Sequence, residues 1–299
     1  MLGHYSSGTT LLTTGKLVES RSHLEAALAL CDPTSQRSLV DHAGFHPYAG
    51  ARARLGLVLL NLGFPDQALA QSKAAVAAAR ELAHPPTLAL SLGLGTTMLS
   101  LFGDIAALDQ RAEELIAVAT EQGFPQWRAL GTICRGWVKV QNGDATEGIS
   151  LLRYGLSTFR VGGAEVGLPH FIILLARAYE IAGQVEEAVK LLDDALQNIA
   201  RSGERRDEAE ANRHKGRLLA RQGHTEAAEE LYRNALSIAR EQEAKLWELR
   251  AAESLARLRR DQGRRAEARD LLAPVYGWFT EGFDTPDLKE AKALLDELS

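Results

Sequence analysis

The chain is predicted to be all-α, a right-handed α-solenoid of seven helix hairpins with a forty-residue period, closed by a C-terminal capping helix. Three observations predict this. Ala, Leu, Glu, Gln and Arg dominate and there are only nine prolines, which favours helix almost everywhere. No stretch alternates apolar and polar residues as a half-buried strand would. A glycine leading into an acidic, alanine-rich helix recurs at Gly63, Gly103, Gly143, Gly183, Gly223 and Gly263, each step 40 residues.

The elements follow in order. A first copy, "GKLVESRSHLEAAL", begins at Gly15, 48 residues before Gly63. The extra eight residues fall in a loop insertion at 31–47, "CDPTSQRSLVDHAGFHP", which is rich in turn formers. Each later unit reads as a helix, a tight turn at the glycine and a second helix, as in "GFPDQALAQSKAAV" and "GQVEEAVKLLDDAL". Small residues recur at fixed offsets from the turn. Five after it stand Ser20, Ala68, Gly148, Ala188, Ala228 and Ala268, with Leu108 the exception; seven before it stand Gly8, Gly56, Thr96, Gly136, Ala176, Gly216 and Ala256. Such columns let paired helices approach closely. The capping helix is expected at 285–298, where Asp284 or Thr285 can cap it and Pro286 opens it. Residues 1–299 thus read as one superhelical domain. Its first helix starts uncapped at Met1, which suggests a fragment of a longer protein.

Composition narrows the function classes. A net charge of −5 supplies no bulk basic field, so no direct nucleic-acid partner is expected. The longest uninterrupted apolar runs, such as "FIILLA", fall short of the ~20 residues that span a bilayer, so no membrane partner is expected either. The two cysteines cannot make a disulfide framework, and a reducing cytoplasm is the simplest compartment.

Candidate chemistry is sparse. "GHYSSGTT" approaches a phosphate-binding loop, but the lysine position is Thr9 and Gly8 belongs to a packing column. Asp41, His42 and His46 bear two histidines four apart, yet Gly44 and Pro47 oppose a helix and no further ligand follows at a telling spacing. Cys134, within a first helix, reads as a small buried residue. No catalytic constellation, cofactor site or metal site is expected, and the chain reads as a non-enzyme.

The hairpin pattern resembles the tetratricopeptide repeat, with a unit six residues longer than the usual ~34. Four stretches, "GFPDQALAQS", "ATEQGFPQWRALGTICRGW", "AKLWELRAAESLARL" and "LLAPVYGWFTEGFDTPDLKEAKALLDEL", look like the C-terminal repeat region of bacterial multidomain regulators that carry a predicted ATPase and an adenylate/guanylate cyclase or DNA-binding domain. The resemblance implies a sensor or scaffold arm, not the catalytic part of such a protein.

By analogy with tetratricopeptide repeats, the position six before each turn glycine faces the concave groove. It reads Thr9, Leu57, Thr97, Trp137, Arg177, Arg217 and Arg257. The groove is therefore expected to change from apolar to arginine-rich. Arg213, Arg217 and Arg221 share one helix face at four-residue spacing. Two readings stand. The arginines pair with Glu180, Glu210, Glu253 and Asp261 and keep a helix face wet; or Trp137, Arg177, Arg213, Arg217, Arg221 and Arg257 form a clamp for an acidic peptide or for other domains of the same full-length chain. A small-molecule effector is the alternative ligand, and an enzyme the weaker one.

Overall fold

A computed structural model describes residues 1–31, 40, 44–162 and 166–299. Most of the 31–47 insertion, with Asp41 and His42, lies outside the described residues. Among the described residues there are fifteen α-helices of twelve residues or more and no strand. The hairpins are α1 (Leu2–Thr13) with α2 (Leu17–Ala29), α3 (Pro47–Asn61) with α4 (Pro65–Glu81), α5 (Pro85–Phe102) with α6 (Ile105–Glu121), and α7 (Pro125–Gln141) with α8 (Ala145–Val161). They continue as α9 (Leu168–Ile181) with α10 (Val185–Ser202), α11 (Glu208–Arg221) with α12 (Thr225–Glu241), and α13 (Lys245–Asp261) with α14 (Arg265–Tyr276). Helix α15 (Pro286–Glu297) ends the array, with Thr285 as its N-cap and Pro286 in its first turn. The solenoid of seven hairpins and a final helix is the architecture that the glycine clock predicts.

All seven corner glycines adopt a left-handed backbone, with φ from 77° at Gly183 to 93° at Gly143. At six of the seven corners, all but Gly103, the next residue donates back five residues, as from Phe64 N to Leu59 O (2.8 Å) and from Asp144 N to Lys139 O (2.9 Å). This is the Schellman arrangement, which satisfies the last carbonyls of one helix while turning into the next. Twenty residues beyond the corners, at the linkers, Ala83 and Glu243 adopt positive φ without glycine's freedom.

The small columns are close helix contacts. Gly8 lies within α1, and a β-carbon there would meet Leu24 at 2.7 Å, while Ser20 Oγ donates to Gly8 O at 2.6 Å. Gly8 is a packing residue, not part of a phosphate loop. The tightest such pair is α7 with α8. A β-carbon on Gly136 would sit 2.8 Å from both Gly148 O and Leu152 N, which are backbone atoms unable to swing aside. Gly136→Ala is expected to lower stability by about 1–3 kcal/mol through overpacking. Chemical denaturation checks this, and an unchanged midpoint would show that the two backbones separate freely.

First helices form the inner layer and second helices the outer one. Helix α5 is buried along most of its length, whereas α10 buries only Ala188, Leu192, Ala195 and Ile199, a single stripe. Helix α5 is also long and apolar enough to cross a bilayer by length and composition, with 18 residues and a mean hydropathy of 1.2. The apolar runs alone did not signal this, because Ser, Thr and Gly interrupt them. Within the protein, 72% of that helix is buried.

The array winds so tightly that it meets itself. Arg206 N donates to Thr13 O (3.2 Å) at the first corner, where Gln242 also packs on Gly15. The second corner, at Gly63 and Phe64, lies against Lys245, Trp278 and Phe279. The third, at Gly103, lies against Pro286. The corners of hairpins one, two and three thus rest on the leading edges of hairpins six and seven and of α15. Each contact joins units about five apart, so about five hairpins complete one superhelical turn. Glu281 strengthens the seam by accepting from Asp66 N (3.0 Å) and Gln67 N (3.1 Å) at the N-terminus of α4, where the helix dipole favours a carboxylate.

Candidate functional site

Winding converts the open groove into a lumen lined by the first helices, and two chambers lie along it. Helix α5 feeds both: Leu90, Leu94 and Thr97 face one chamber, and Ser100, Leu101 and Phe102 the other. Helix α7 does the same with Leu130 and Trp137. At ~1.5 Å rise per residue, the chambers follow one another along the helices at a spacing of roughly 10 Å.

The charged chamber, about 280 Å³, brings together Trp137, Arg177, Arg213 and Arg217, four of the six arginine-clamp residues read from the sequence. Arg221 and Arg257 do not line it. Trp137 is buried, and the Arg177 guanidinium stacks on its indole ring at 4.4 Å, a cation–π contact.

Most of the arginines are already paired. Arg213 donates twice to the buried Glu210 (2.7 and 2.8 Å). Arg217 and Arg221 both hold Glu180, and Arg257 holds Glu253 (2.5 Å). Asp261, the remaining acid expected to pair with this face, instead binds its neighbour Arg260 (2.9 Å). The exception is Arg177. Among the described residues no carboxylate pairs with it. Burial pulls its pKa down to about 9; Glu210 acts against that shift, and Arg250, Arg217 and Arg213 add to it.

Sequence reasoning missed Arg250, whose side chain joins three elements. It donates to Asp287 on α15 (2.6 and 2.9 Å), to Leu101 O on α5 (2.7 Å) and to Glu210 on α11 (3.2 Å), and lies over Trp247. The signal was present. Thirteen before the corner glycines stand Gly50, Leu90, Leu130, His170, Glu210 and Arg250; of the last three, His170 and Glu210 are buried and Arg250 is partly buried. Burial alone would raise the Glu210 carboxyl, yet Arg213 and His214 outweigh it and hold the pKa well below its ordinary value. His170 faces Ser100 Oγ (2.9 Å), and burial pushes its pKa down to about 4 despite Asp207 nearby.

The apolar chamber, about 270 Å³, is lined by Leu94, Trp127, Leu130, Phe159 and Phe171, with Arg54 and Arg206 as its charged members. Trp127 leans on Gly93, where any side chain would collide with it. Burial raises the Cys134 thiol to about 12, so it is no thiolate nucleophile. Among the described residues no cluster of His, Cys, Asp or Glu could hold a metal.

The fold defines the protein as a tetratricopeptide-like α-solenoid. Residues 170–241, hairpins five and six, match the family model described as tetratricopeptide repeat. Over the whole chain the similarity is structural. NprR in complex with its cognate peptide NprX superposes with a TM-score of 0.62 at 15% identity, over 99% of this chain and 82% of that one. A Rap protein complexed with competence and sporulation factor gives 0.57 at 12% identity, over 99% and 96%. An uncharacterized protein of Rhizobium meliloti (strain 1021) is 24% identical over 248 residues. That match takes in 82% of this chain and 24% of the Rhizobium protein, so the chain spans about a quarter of its curated relative's length.

Proposed function

We propose that the protein is a non-catalytic interaction and sensing scaffold that receives an acidic peptide, or an acidic segment of a neighbouring domain, in the charged chamber. The observation that carries this reading is Arg177, a guanidinium fixed on Trp137 in the lumen without a carboxylate of its own among the described residues. A ligand carboxylate there would gain a charge-assisted bond near Arg213, Arg217 and Arg250, with the chamber's own Glu253, Asp287 and Glu290 acting against it. The peptide-bound state of NprR, a protein of similar fold, supports the partner class. In the wider protein the scaffold would serve as the sensor arm of a cytoplasmic signalling ATPase or nucleotide cyclase. The repeat-region resemblance and the far greater length of the Rhizobium relative support that context.

Fluorescence polarisation with labelled acidic amphipathic peptides tests the reading. Arg177→Gln is expected to weaken the tightest peptide at least tenfold, about 1.4 kcal/mol, with helicity unchanged. Equal affinity in wild type and variant would discard the charged chamber as the receptor.

A further inference from the structure

We infer that the apolar chamber is a separate site for a small amphiphilic carboxylate, a free acid with an aliphatic or aromatic body. This goes beyond the peptide reading and rests on different residues.

Leucine and aromatic side chains make most of the wall, in keeping with small-ligand pockets generally, and the cavity's size is close to the lower end of their range. No acid lines the chamber among the described residues. Its two cations differ. Arg206 donates to Asp207 Oδ2 (2.7 and 3.1 Å) and is neutralised. Arg54 lines the chamber beside the Tyr5 ring, 4.7 Å from its centre, and forms no ion pair among the described residues; its polar neighbour is the Tyr5 hydroxyl. A guanidinium withdrawn from water without a counter-charge favours an anion beside it. Gln126, the amide in the lining, is occupied with Gly162 O (2.5 Å). Among the described residues the chamber therefore offers one cation without a counter-charge beside an apolar pocket. That combination selects negative charge on an apolar body over a neutral or cationic head on the same body. Thr97 adds a hydroxyl to the lining.

Isothermal titration of the full chain with sodium octanoate, octylamine and 1-octanol tests the assignment. One equivalent of octanoate is expected to bind at least tenfold more tightly than octylamine. Arg54→Met should remove most of that preference while leaving octanol binding in place, and Arg54→Lys should keep it. Leu94→Phe, which fills the chamber without touching the cation, should weaken octanoate and octanol together. Far-UV circular dichroism identifies any variant that fails to fold, and the wild-type comparison stands without the variants. The inference falls if octanoate and octylamine bind alike, if octanoate does not bind at millimolar concentration, or if a folded Arg54→Met retains wild-type octanoate affinity. Retention of acidic-peptide binding in Leu94→Phe would show that the two chambers act apart.

Discussion

Arg250→Ala is expected to destabilise the fold by about 2–3 kcal/mol, below the usual cost for a fully buried ion pair because Arg250 and Asp287 are only partly buried. The substitution leaves Asp287 on α15 without its cation and Leu101 O without its donor, and removes one of the cations around Glu210. Arg213 and His214 remain on Glu210, so most of the damage falls at the seam between α5, α13 and α15. Arg250→Lys keeps a charge but loses the planar fork that reaches Asp287 with two nitrogens, and should recover only part of the loss. Urea unfolding measures both. A loss under about 1 kcal/mol for the alanine variant would mean that hydrophobic packing alone closes the array.

Acidification is expected to weaken the protein from about pH 6.5 downward. His170 titrates at about 4 in the fold and near 6.5 when unfolded, so between these values the unfolded chain binds a proton that the folded chain refuses. Stability is fully present above pH 6.5 and is lost as pH falls toward 4. At pH 5 the loss from this residue is about 2 kcal/mol. Burial shifts His214 in the same direction. Glu210, held ionised by Arg213 and His214, adds to the loss once pH drops below the ordinary carboxylate range. Glu253, whose carboxyl is raised by burial, acts oppositely. Denaturation free energies at pH 7 and pH 5 test the sum, and His170→Gln should flatten the slope. A flat profile between these values would show that His170 and His214 reach solvent in the folded protein.

The features legible in the sequence are those encoded within one hairpin. The glycine corners, the small columns, the Thr285 cap and the change from Leu57 and Thr97 to Arg177 and Arg217 all repeat at fixed offsets. The pairing of Arg217 with Glu180, Arg213 with Glu210 and Arg257 with Glu253 was equally readable. The closure was not, because it depends on small rotations summed over five hairpins rather than on any one of them. The candidate residues are therefore only partly gathered in one place. Trp137, Arg177, Arg213 and Arg217 share a chamber, whereas Arg221 and Arg257 are outside its lining, and the Arg221 side chain is about half exposed. Arg250 escaped notice because its role needs α5 and α15 in contact, and Arg54 because its isolation shows only when its neighbours in space are known.

Solenoids commonly unfold piecemeal, since each repeat touches only the next. Here Glu281 bonds to Gln67 across 214 positions and Arg250 reaches Leu101 across 149. Such distant pairings tie the first hairpins to the last, so the two ends should unfold together rather than one repeat at a time. A lesion at one terminus would then be felt at the other, in the manner of a barrel missing a stave rather than a shortened spring.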